Sequence, residues 1–194
     1  MKRLFNYWMY GGFLAGIMIL ALMPLLAISW STTFTAVFVL LPIYMLHQYE
    51  EHDGDRFRLY VNRTIGNGAE VLTPAAVFVI NIGAVWILDV IVIYLAWAVD
   101  LGLGLIAVYL MLINAIVHII GAIRSHSYNP GLVTAVILFL PAGGYALYRI
   151  QDSGAATIKD HITGIAIGAA VHVLIIAYAL HRRSRAGSIY KLPS

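Results

Sequence analysis

The chain has 194 residues, 61% of them hydrophobic and 11% charged, with a mean hydropathy of +0.86. Soluble domains carry roughly 25% charged residues, so this composition excludes a soluble globular protein and points to an all-α integral membrane protein forming one domain. The absence of cysteine excludes disulfides, thiolate metal sites and cysteine nucleophiles. The net charge of +3, with no basic run interleaved with aromatics, argues against a nucleic-acid partner.

A spanning helix needs about 20 mostly apolar residues. Six such stretches are expected, at 11–30, 34–51, 75–98, 103–123, 131–150 and 162–181, packed as a single bundle. Met1-Lys2-Arg3 ahead of an apolar run resembles a secretory signal. However, the run from Gly11 to Trp30 is long for one and lacks a small-x-small cleavage site, so a retained helix is expected. The links at 31–33, 99–102 and 124–130 are short enough for tight helical hairpins, whereas the polar link 52–74 is expected on the membrane surface.

Basic residues orient such a bundle. With the N-terminus inside, Lys2, Arg3, Arg56, Arg58, Arg63, Arg124, Arg182, Arg183, Arg185 and Lys191 are all cytoplasmic, and only Arg149 and Lys159 lie outside. Both termini are then cytoplasmic, in an inner or plasma membrane. Gly12 and Gly16 read as helix packing, and Tyr7, Trp8, Trp30 and Trp97 as an interfacial aromatic belt.

The chemistry concentrates in His47-Gln48-Tyr49-Glu50-Glu51-His52, at the polar end of the second stretch. Each helical residue advances about 100°, so His47, Glu50 and Glu51 share one face while His52 is offset. An imidazole and two carboxylates on one face suit a divalent metal, with His47 and Glu51 as ligands and Glu50 as general base. The alternative is a solvated polar cap. Asn114 and His118 form an i,i+4 pair in the fourth stretch, at the depth of Asn81, and a buried pair of this kind is either a ligand set or an interhelical hydrogen bond. Arg124, Tyr128 and the Asn129-Pro130-Gly131 turn, with Thr134 one turn on, are candidates to hold a headgroup or oxyanion; otherwise they form a plain tight turn. His172, above Gly164 and Gly168 on a close-packed face, is a further candidate ligand or a structural hydrogen bond. Asp89 lies too deep for this layer and suggests a proton path or a stabilising pair.

His47-x-x-Glu50-Glu51, Asn114-xxx-His118 and Tyr128-x-Pro130-Gly131 resemble, in order and spacing, the three signatures of the HXXEE-domain membrane proteins. The resemblance runs from the second to the fifth stretch and implies that these positions form a site. It supplies no substrate.

Together these observations predict a metal-dependent membrane hydrolase acting on a lipid or other amphipathic substrate at the cytoplasmic leaflet. His47, Glu51, His118 and His172 are the candidate metal ligands; Glu50, Asn114, Arg124 and Tyr128 are the candidate catalytic residues. Zinc is favoured, with iron as the other choice. A di-iron oxidase is the second enzymatic reading, although di-iron bundles use Glu-x-x-His in two copies. A proton- or cation-coupled transporter is the third, but the two halves show no inverted repeat. A purely structural subunit would make the clustering accidental.

Overall fold

The computed structural model describes residues 2–189, all in helices and their connections, with no strand among them. Five helical stretches are long and apolar enough to cross a membrane: Lys2–Ser29, Pro74–Ala98, Leu101–Ser125, Leu132–Asp152 and Ile158–Ala186. The stretch expected as the second span differs from these. It forms two helices, α2 (Thr32–Phe38) and α3 (Leu40–His52), separated at Val39. Pro42 has no N–H to offer the carbonyl one turn back, which explains a break at this point.

Helix α1 (Lys2–Leu26) begins well before the expected Gly11, because Phe5, Trp8 and Met9 extend its packed side. Ser31 caps α2, its Oγ accepting the Phe34 N–H at 3.1 Å. Helix α3 ends where Gly54 and Asp55 take left-handed φ values of 61° and 63°. The polar link then folds into a short amphipathic helix, α4 (Arg56–Thr64).

Thr73 caps α5 (Pro74–Val79), which continues through a π-helical segment, Ile80–Ile87, into α6 (Leu88–Ala98). Helix α7 (Leu105–Ser125) ends at left-handed His126. After the turn, α8 (Leu132–Thr134) leads through a second π-helical segment, Ala135–Phe139, into α9 (Leu140–Asp152). The last helix is α10 (Ile158–Ile189). Lys191 lies outside the described residues.

In a bilayer, helices associate through close packing and hydrogen bonds rather than through the hydrophobic effect. The backbone approaches follow that rule. A Cβ on Gly16 would meet the Pro42 carbonyl at 2.9 Å, and one on Gly164 would meet the Leu105 carbonyl at 2.7 Å. These contacts seat α1 on α3 and α10 on α7. The centre of the bundle is the broken α2–α3 rod, where Val37, Leu40, Tyr44, His47 and Gln48 are buried. A rod surrounded by protein has no need of an apolar surface on every side. Tyr7 and Trp97 face outward, as belt residues would. Trp8 does not: it is buried, with its ring 5.1 Å from His52 and 5.6 Å from Trp86.

Candidate metal centre

Helix α3 contributes His47 and Glu51 one turn apart, and α7 contributes His118. All three side chains are buried, and each offers a ligand atom within 4.8 Å of the others. Nε2 of His47 lies 3.7 Å from Glu51 Oε2, and Nε2 of His118 lies 3.6 Å from Glu51 Oε1. Both distances are beyond hydrogen-bond reach. They suit atoms sharing an ion: ligands about 2.1 Å from a tetrahedral metal stand about 3.4 Å from each other.

The proton positions follow from what stands behind each ring. Thr134 donates its hydroxyl proton to Glu50 Oε2, so its oxygen accepts at 2.8 Å from His47 Nδ1. The Asn129 amide donates to the His118 carbonyl at 2.8 Å, which aims its Oδ1 at His118 Nδ1, 2.7 Å away. In the neutral ring, each imidazole therefore carries its proton on Nδ1 and turns a bare Nε2 lone pair toward Glu51. Two lone pairs and a carboxylate converge in a buried space, an arrangement that calls for a cation.

Glu50 stands apart from this cluster. Its oxygens accept from Tyr128 Oη at 2.8 Å, from the Val133 and Thr134 N–H groups at 3.2 and 2.7 Å, and from the Thr134 hydroxyl. The shared helical face is thus divided: Glu51 points at the imidazoles, while Glu50 holds the first turn after Gly131. Burial and the bond to Glu50 raise the Tyr128 hydroxyl above the usual tyrosine range, so it keeps its proton. Gly131 sits against both imidazoles at φ 97°, and a Cβ there would fall 2.7 Å from His118 Cε1 and 2.9 Å from His47 Cε1. Only glycine fits.

Two members of the cluster, Glu51 and His118, line a cavity of about 650 Å³ between α4, α5, α7 and α10, and His47 is not in its wall. Asn114, Arg124 and His172 line the same space, and His172 is not grouped with the three ligands. Asn114 Oδ1 is buried without a hydrogen bond. His172 shares its Nδ1 with the Gly168 carbonyl at 2.8 Å; a carbonyl only accepts, so Nδ1 carries the proton and Nε2 is bare. His52, offset on the helical projection, instead brings its Nε2 to 3.1 Å from Glu51 Oε2 and lines the cavity. Gln48, buried directly after His47, donates to Asn81 Oδ1 at 2.8 Å and accepts the Trp86 indole N–H. Asp89 is buried with neither oxygen hydrogen-bonded.

A family model described as "Protein of unknown function with HXXEE motif" matches residues 38–146. The matched region holds His47, Glu51, His118 and the whole turn behind them, and the chain belongs to this family. No curated protein and no solved structure gives a match.

Proposed function

We propose that this member of the HXXEE family is a metal-dependent membrane enzyme, hydrolysing a lipid or other amphipathic substrate at the cytoplasmic leaflet of an inner or plasma membrane. The observation that carries the reading is the convergence of two imidazole lone pairs on Glu51, with each ring proton held away on Nδ1. A two-histidine, one-carboxylate set with a cavity beside it fits zinc, with iron as the other choice. Three protein ligands leave a position open, as catalytic sites do and structural sites do not.

When bound, the ion would acidify a water and polarise a carbonyl or phosphoryl oxygen. The chain's own groups divide the remaining work. Asn114 and Arg124, which line the cavity, position the headgroup, and Tyr128 instead holds Glu50. Glu50, engaged by four donors behind His47, acts through Thr134 as a positioning residue, in place of the base role its spacing suggests. His172, lining the cavity with a bare Nε2, takes that role as proton acceptor. The buried α2–α3 rod serves as a sixth crossing, which with ten basic residues against two supports cytoplasmic termini.

Elemental analysis of the purified protein after loading with zinc or iron(II) tests this. Wild type should hold close to one equivalent, and Glu51→Ala and His118→Ala should hold almost none. Wild type that binds no metal above a protein-free control sinks the reading. Proton-coupled transport is favoured only by unpartnered Asp89; it predicts liposome flux that Asp89→Asn abolishes.

A further inference from the structure

The substrate has two ways into the cavity, from water or from the bilayer. The aqueous side is partly covered, with Thr64, Arg124 and Ser125 exposed at that end of the cavity. Phe57, Tyr60, Val61 and Ile65 of the α4 region lie over the cavity. That cover is fastened by Asn62, which accepts from the Val71 and Leu72 N–H groups at 3.0 and 2.8 Å and donates to the Leu72 carbonyl at 3.0 Å. Arg183 of α10 adds a bond to the Ile65 carbonyl at 3.0 Å.

The bilayer side is built differently. Helix α10 is seated on α7 through Gly164 and Gly168, and no comparable seam joins it to α5. Between them lies a second apolar groove of about 490 Å³, whose walls include Ala76, Val79, Ala84, Leu174 and Tyr178. Val79 and Leu174 are 63% and 67% exposed, and both belong to helices apolar enough to cross a membrane, so they meet hydrocarbon. Groove and cavity share Ile80, Val171 and Ile175. These three side chains border both the groove and the cavity that Glu51 and His118 line. On the far wall the cavity follows α7 from Leu110 to Ser125, about 22 Å at a rise of ~1.5 Å per residue. Its polar groups on this wall run from Asn114 through His118 to Arg124 and Ser125, and the apolar end lies toward Leu110.

We infer that the cavity is filled from the side, by the hydrocarbon tail of a single-chain amphiphile that leaves the bilayer between α5 and α10, past Ile80, Val171 and Ile175. A tail moving from lipid into this space exposes no apolar surface to water on the way. Its polar end comes to rest beside Glu51 and His118. The path itself rests on the geometry of the groove; that the tail belongs to a substrate rests on the enzyme reading above.

The test uses the full chain in liposomes with a palmitic acid analogue that carries a mid-chain diazirine and a terminal alkyne. After irradiation, adducts are expected on cavity-wall peptides containing Leu110 to Ser125, and excess palmitate should suppress them. Ala84→Trp and, independently, Ala76→Phe should plug the groove, reducing those adducts to near background while bound metal stays at the wild-type level. Labelling confined to outward-facing residues, or cavity labelling unchanged by both plugs, overturns the inference. Metal bound with an unlabelled cavity defeats the lateral path alone. Plug-sensitive cavity labelling in a protein that binds no metal upholds the path and defeats only the enzyme reading.

Discussion

Thr134 joins His47 to Glu50: one hydroxyl accepts a hydrogen bond from the imidazole Nδ1–H and donates one to the carboxylate. His47 and Glu50 therefore act together without touching. The Thr134 oxygen fixes which nitrogen of His47 faces Glu51, and Glu50 fixes which way the threonine hydroxyl points.

Thr134→Val keeps the shape and removes the link. Groups that orient a metal-ligating histidine are typically worth about 10–100-fold in metal affinity, and a loss in that range is expected, measured by competition with a chromophoric chelator. Thr134→Ser should recover most of it. Equal affinities for wild type and the valine variant would show that His47 needs no such support.

Asn129→Ala should weaken metal binding to a similar degree and also lower stability. It removes the acceptor of His118 Nδ1 and the amide that satisfies the His118 carbonyl. Leaving a buried polar group unpaired costs about 1–3 kcal/mol. Thermal unfolding in detergent, with and without metal, separates the two effects.

Gly131→Ala combines a left-handed φ of 97° with a Cβ placed 2.7 Å from His118. Strain of this kind costs about 1–3 kcal/mol, and the imidazoles must move to admit the methyl group. Metal content is expected to fall before the helical circular dichroism does. Full metal occupancy in a stable Gly131→Ala protein would contradict the close approach described here.

Tyr128→Phe should be mild by comparison, since Glu50 keeps its bonds to Val133 and Thr134. Burial and then the Glu50 bond raise the Tyr128 pKa. A raised folded-state value means that the stabilisation is whole below the unfolded tyrosine value of about 10. It is lost as pH climbs through the folded one. Wild type should lose stability in that alkaline window and Tyr128→Phe should lose less, as read from melting temperatures across the range. Identical alkaline profiles would remove this role from Tyr128.

Most of the architecture is legible in the chain because apolar runs and short polar links are one-dimensional signals. Two departures have local causes. Pro42 divides the second stretch, a break that a count of apolar residues does not register. The polar link hides α4, whose helical form depends on Phe57, Tyr60 and Val61 lying against the cavity. At the site, His47, Glu51 and His118 are legible because helical spacing aims side chains. Asn129 and Thr134 are less so, because their roles depend on which ring lies opposite after folding. Glu50 shows the limit of a helical projection: it shares an arc with Glu51, yet its carboxylate is taken by the N–H groups of Val133 and Thr134. His52 shows the converse, reaching Glu51 from outside the arc.

The last helix has a mechanical consequence. Helix α10 runs from Ile158 to Ile189, about 48 Å at ~1.5 Å per residue, against a hydrocarbon layer of about 30 Å. A free helix of that length would settle its lean by mismatch with the lipid around it. Here the backbone contacts of Gly164 and Gly168 with α7 set the lean first. A thicker or thinner bilayer can tilt α10 only by prying at that glycine seam.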